Sequence, residues 1–257
     1  MVNILIAMIL IAVRLPLLII IILFGLIIII FYPREITKFK NIHFKIMMIW
    51  MNVLSKIIGI KVIIEGKPDY TADLYVSNHV TYLDIIILNR ILPVNFIAKK
   101  DIASWPVIGY LASKTGTLFI KRGDSRESDK MIDQMKERFH LKRKVIFFPE
   151  GKIGSGSIVK KFHSKLFKSI ENENISIQPI AIRYPKRYPK VLSYDEDISK
   201  RSMEGSIISI YMNIMGRPKS HVILSFLEKI ETRDFEISLV SNMLATRINS
   251  SLRDLDN

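Results

Sequence analysis

The sequence predicts an α/β fold, a mixed, largely parallel sheet flanked by helices and preceded by N-terminal membrane helices. Three observations predict it. From residue 61 onward, short runs rich in Val, Ile and Phe recur, separated by longer stretches with helical spacing. Strands that alternate with helices in this way build parallel crossover units. The apolar excess is also concentrated in the first 32 residues, while the remainder carries the charge of an ordinary soluble domain. The chain therefore divides into a membrane-associated helical region, residues 1–60, and one globular domain, residues 61–257.

In the first region, Leu15 to Phe31 holds no charge and is about long enough to cross a hydrocarbon core of about 30 Å. Arg14 interrupts the apolar run that begins at Ile4. The run is too long for a cleaved leader, and no small-residue cleavage site follows. Arg34, Lys38, Lys40 and Lys45 come next, so the positive-inside rule predicts the following domain on the cytoplasmic side of the inner membrane. Residues 41–60, with Trp50 and flanking lysines, suit equally a helix lying in the interface and a core helix of the domain. A helical pair, residues 3–32 and 35–59, dipping into one leaflet is the alternative to a single span.

In the second region the pattern predicts strands at 61–66, 73–78, 94–99, 116–121, 144–148 and 175–184, with a late strand at 221–230. Helices are expected at 82–92, 102–113, 125–141 and 160–173, and a terminal amphipathic helix at 235–253. Residues 185–220 are weakly patterned and read as a surface excursion.

The formal net charge of +14 favours anionic partners. The apolar N-terminus selects membrane lipids among them, and no recognised motif for nucleic acid accompanies the charge. The chain has no cysteine, which excludes a disulfide, a thiolate nucleophile and a Cys-ligated metal.

Four blocks carry candidate chemistry. In Asn78-His79-Val80-Thr81-Tyr82-Leu83-Asp84, the histidine falls at a strand-to-helix turn and the aspartate in the first helical turn. A carboxylate there can turn back to one imidazole nitrogen, fix the tautomer and make the other nitrogen a general base. The plainer reading is a helix-capping turn with an incidental histidine. Gly116 to Gly123 ends a strand with Lys121 and Arg122, of which Arg122 suits bidentate recognition of phosphate and otherwise marks a solvated strand end. Phe147 to Lys152 is a Pro-Glu-Gly turn that would point the Glu150 carboxylate and free backbone N–H groups, Gly151 among them, at the same end of the sheet. Ile177 to Ile182 is a strand interrupted by Pro179, expected at an edge or a bulge.

In this order and spacing the four blocks resemble the bacterial glycerolipid acyltransferase family over roughly residues 60–185. Asn78, His79 and Asp84 match its Asn-His-x4-Asp block. Gly116 to Arg122 match its Gly-x-x-x-Ile-x-Arg block, Phe148 to Gly151 its Phe-Pro-Glu-Gly-Thr block, and Pro179 to Ile182 its Pro-Val/Ile-Ala block. Lys152-Ile153 stands where the family usually continues Thr-Arg, and His163 where a basic residue is common. The resemblance implies transfer of a fatty acyl group from acyl-CoA or acyl-acyl-carrier protein to the sn-2 hydroxyl of lysophosphatidic acid, giving phosphatidic acid. A lyso-ornithine lipid or another lysolipid is the alternative acceptor. His79 and Asp84 would then be catalytic, and Arg122, Lys121, Glu150, Gly151 and Lys152 would bind substrate. Apolar residues around 85–113 would line an acyl-chain groove. No metal or further cofactor is implied, and the carrier protein is a possible partner. A hydrolase using the same pair, and a non-catalytic protein that binds anionic lipid, are the competing readings.

Overall fold

The computed structural model describes residues 4–254 except 122, 160, 187, 189–193, 205 and 206. The long helix α1 (Ile4–Ile30) runs antiparallel to α2 (Asn41–Ile58). By length and composition α1 is able to cross a membrane, and only 17% of its most apolar window is buried in the protein. Its contact side is specific. Trp50 of α2 donates its indole N–H to the carbonyl of Ile21 (2.9 Å). Gly25 makes room for that ring, since a Cβ there would lie 2.5 Å from it.

After α2 come β1 (Ile60–Gly66), β2 (Leu74–Ser77), α3 (Leu83–Asn89), β3 (Val94–Lys99), α4 (Ile108–Lys114), β4 (Leu118–Ile120), α5 (Ser125–His140) and β5 (Lys144–Phe147). The chain continues through β6 (Ser176–Arg183), α6 (Glu196–Met203), α7 (Ile207–Met215), β7 (Ser220–Phe226), β8 (Ile230–Glu231) and α8 (Ile237–Asp254). The strand order is β1-β7-β6-β2-β5-β3-β4, and β8 pairs with β6. Strands β6, β2, β5, β3 and β4 are parallel; β7 and β1 run against them. The sheet is thus mixed and largely parallel.

Alternation along the strands feeds two cores. Tyr75, Phe96, Ile146 and Ile182 point to one face, under α2, α3, α6 and α7. Leu74, Val76, Val145 and Ile177 point to the other, under α5 and α8.

Five expectations change. The helix expected at 102–113 is broken into a 3-10 turn, Lys100–Ser104, and α4, because Pro106 disfavours helical backbone before it. Of the helix expected at 160–173 only a 3-10 segment, Lys165–Ile170, forms; the His163 amide donates instead to the Pro149 carbonyl (2.9 Å). Tertiary hydrogen bonding outweighs helical propensity there. The strand carrying Pro179 is no edge. It is central and fully buried, and the proline falls where the antiparallel neighbour changes from β7, paired at Ile180–Arg183, to β8, paired at Ser176 and Ile177. The same change of neighbour splits the expected 221–230 strand into β7 and β8.

Residues 185–220 are likewise more than an excursion: α6 and α7 place Ile198, Ile210 and Ile214 in the core. Both helices are too short for their periodicity to stand out in the sequence. The C-terminal end of α7 also answers for Arg14. Its guanidinium donates to the carbonyl of Met215 (2.8 Å), which the helix end leaves unpaired, and to those of Arg217 (2.6 Å) and Pro218 (3.0 Å) just past it.

Candidate active site

The parallel strands β2, β5, β3 and β4 all end on one edge of the sheet, where crossover connections gather functional side chains. His79 follows β2 on that edge. Its Nδ1 lies 2.8 Å from Oδ2 of Asp84 in the first turn of α3. Asp84 is fully buried, whereas the His79 side chain keeps 13% of its surface exposed. Oδ2 also accepts the backbone N–H groups of Val80 (2.7 Å) and Thr81 (3.0 Å). Capping of the turn and orientation of the imidazole are therefore one arrangement. With Nδ1 committed to a carboxylate, Nε2 is the nitrogen left to take a proton.

Neighbouring blocks hold the histidine in place. Phe148, just past β5, stacks on the imidazole with ring centroids 4.0 Å apart and planes 10° apart. Both backbone groups of His79 are taken by the turn that follows: its N–H donates to Oε1 of Glu150 (3.0 Å), and its carbonyl accepts the N–H of Gly154 (2.7 Å). Asn78 ties the turn to β6. Its side chain donates to the Ile182 carbonyl (2.9 Å) and accepts the Ile182 N–H (2.8 Å), extending the β2–β6 ladder by side-chain means. Removing both bonds strands buried backbone groups, at about 1–3 kcal/mol. Asn78→Ala is therefore expected to lower the melting temperature and turnover together, read by calorimetry and a rate assay on the same preparation. An unchanged melting temperature would contradict the clamp.

Glu150 is buried, and desolvation pushes its carboxyl up to about 7. The His79 N–H and Lys152 pull it down and the Asp84 carboxylate pushes it up, but burial dominates. Glu150 thus ties the turn after β5 to the His79 turn through the His79 N–H. Gly151 sits in the left-handed region (φ +67°), where a glycine is needed. Its N–H donates to the Phe148 carbonyl (3.0 Å), so turn closure consumes a group that the sequence leaves free.

Lys152 is exposed next to this turn. Lys121 is exposed after β4, three strands from β2 and hence about 14 Å away across the sheet. Arg122 lies outside the described residues. Among the described residues no group of three His, Asp or Glu is placed to hold a metal ion. Sequence reasoning missed the stacking role of Phe148, the Gly154 bond and a fourth partner of Asp84: the hydroxyl of Tyr184, 2.8 Å from Oδ1.

This edge, with its His–Asp pair in the β2–α3 turn, lies in a segment that is similar to known acyltransferases. The model of the family described as Acyltransferase matches residues 60–183, a little under half of the chain. The chain is 35% identical over 135 residues to a lyso-ornithine lipid O-acyltransferase of Pseudomonas aeruginosa, covering 52% of each chain. It is 35% identical over 111 residues to a 1-acyl-sn-glycerol-3-phosphate acyltransferase of Neisseria meningitidis, covering 43% of this chain and 44% of that one. It thus spans about half the length of the curated relatives it matches. The crystal structure of the 1-acyl-sn-glycerophosphate (LPA) acyltransferase PlsC of Thermotoga maritima shares the fold. That match has a TM-score of 0.63 at 17% identity, over 90% of this chain and 87% of that one.

Proposed function

We propose that the protein transfers a fatty acyl group from a thioester donor, acyl-CoA or acyl-acyl-carrier protein, to the hydroxyl of a lysophospholipid-type acceptor. The observation that carries this reading is an imidazole fixed through Nδ1 to a buried carboxylate, with its other nitrogen left for an incoming proton, inside the acyltransferase segment. Nε2 of His79 removes the acceptor's hydroxyl proton as the oxygen attacks the thioester carbonyl. The C–S bond then breaks, and the same imidazole returns the proton to the departing sulfur. The ester forms directly, with no acyl-enzyme.

Lysophosphatidate is the acceptor we place first, because Lys121 and Lys152 follow β4 and the β5 turn on the same edge, and the sequence adds Arg122, a residue type suited to a phosphomonoester. A lyso-ornithine lipid is the second reading, favoured by relatives of that name at 34–35% identity. Arg122→Ala separates them. If Arg122 grips phosphate, the variant raises the Michaelis constant for lysophosphatidate by roughly 2 kcal/mol, about thirtyfold, and leaves that for lyso-ornithine lipid near its starting value. Equal losses on both acceptors, in steady-state kinetics at fixed donor, would remove the phosphate role.

Attachment to the cytoplasmic face of the inner membrane completes the proposal. The outer side of α1 exposes Ile9, Ile20, Phe24, Ile27 and Phe31, an apolar surface far larger than a soluble domain leaves uncovered. The Arg14 contacts and the α1–α2 packing support a helical pair lying against the domain and entering one leaflet.

A further inference from the structure

We infer that Tyr184 is a positioning residue of the His79–Asp84 pair, its buried hydroxyl holding one carboxylate oxygen of Asp84 so that the other stays aimed at the imidazole. The inference rests on the acyl-transfer reading above. It starts from the division of labour on a single carboxylate. Oδ2 accepts three bonds: His79 Nδ1 and the amides of Val80 and Thr81. Oδ1 faces the other way and accepts the Tyr184 hydroxyl at 2.8 Å. With both oxygens engaged, rotation of the carboxylate about its Cβ–Cγ bond breaks bonds on both sides.

The tyrosine is itself fixed at two ends. It follows β6 directly, the strand that Asn78 clamps to the histidine turn. Its own carbonyl accepts the N–H of Asp195, at the entrance to α6 (2.7 Å). The ring is almost wholly buried among the side chains under α3, α6 and α7. Burial, the adjacent Asp84 carboxylate and Tyr211 of α7 hold its phenol well above the usual range, so it stays a donor throughout the working pH. The residues of α6 and α7 thereby reach the reacting centre through one hydroxyl, about 100 positions from the aspartate it serves.

Such a bond to a group that orients the base carries no substrate contact. Its loss is felt in turnover rather than in binding. Hydrogen-bond partners that orient the ligands of metal sites are worth about 10–100-fold there. Tyr184→Phe keeps the ring, and with it the packing. The test is a four-member set of full-length proteins in phospholipid–detergent micelles: wild type, Tyr184→Phe, Asp84→Asn and the double variant. Each is assayed for kcat, for both Michaelis constants and for melting temperature. The expected result is a kcat for Tyr184→Phe about tenfold below wild type, with both Michaelis constants within about twofold of it. In the Asp84→Asn background the same change should have little further effect, because the two residues act as one unit.

A folded Tyr184→Phe with wild-type kcat overturns the inference. So does a tenfold loss that persists in the Asp84→Asn background, which would place the effect elsewhere. Should phenylalanine cost the fold, a ring-fluorinated tyrosine at position 184 keeps the donor while changing its strength, and a kcat indifferent to that change overturns the inference equally. Loss of activity in His79→Ala alongside a fully active Tyr184→Phe rejects the positioning role and leaves the acyl-transfer reading standing. A wild-type protein without acyl transfer to any lysolipid rejects both.

Discussion

Replacing His79 with alanine is expected to lower kcat by a factor of about 10² or more while the protein stays folded. Among the described residues, the imidazole is the one group at the site with a nitrogen presented for proton transfer and a carboxylate partner that fixes its tautomer. The fold does not depend on it in the same degree. The turn is held by backbone groups, through Glu150 and Gly154, and these bonds survive loss of the ring. Asp84 keeps the Val80 and Thr81 amides and the Tyr184 hydroxyl, so its buried charge is not left bare. Thiol release from the acyl donor, followed beside a melting curve, gives both quantities. Turnover near wild type in a folded His79→Ala protein would remove the histidine from the chemistry. Asp84→Asn should also lower turnover, since a neutral amide orients the ring poorly.

The second large effect is on stability against pH and belongs to Glu150. Burial raises its folded-state value from 4.5 to about 7. Between those two values the folded protein holds a proton that the unfolded chain has released. Stability is therefore greatest, as far as this group is concerned, below pH 4.5 and falls as pH rises through 7. The full loss, on the order of 3 kcal/mol, is in place above that value. Glu150→Gln keeps an oxygen for the His79 N–H and carries no charge. Its unfolding free energy in denaturant should therefore lack this fall and exceed that of wild type at pH 8. Parallel pH profiles for the two proteins would show that the Glu150 carboxyl is not held in its neutral form by burial.

What the sequence disclosed follows from how local each determinant is. The His79–Asp84 pair lies five residues apart in one turn, and α5 falls on the helix expected at 125–141; both are visible in a short window. So are β1 and β3, whose apolar runs coincide with the strands. The partners of the pair were out of reach for the opposite reason. Tyr184 meets Asp84 only because β6 lies beside β2, a fact of strand order that no window contains. The Asn78 clamp on Ile182 depends on the same adjacency. Pro179 read as an edge or a bulge because a proline removes a ladder donor; the exchange of β7 for β8 at that point makes a central place tolerable, and that exchange is tertiary. Arg14 read as an interruption of an apolar run, and its partners are the carbonyls that end α7, some 200 residues later.

Formation of an ester between an acyl chain and a lysolipid hydroxyl at this site is read from the mass of the product. Purified full-length protein would be given one thioester donor, as acyl-CoA and as acyl-acyl-carrier protein, with lysophosphatidate, lyso-ornithine lipid and an uncharged monoacylglycerol in separate reactions. The expected result, for at least one charged lysolipid, is a product heavier by one fatty acid less one water, formed in step with thiol release and slowed by a factor of about 10² or more in His79→Ala. Free fatty acid in place of the diacyl product would make the same His–Asp pair a hydrolase, and an unconsumed donor with every acceptor would leave the pair without the reaction assigned to it.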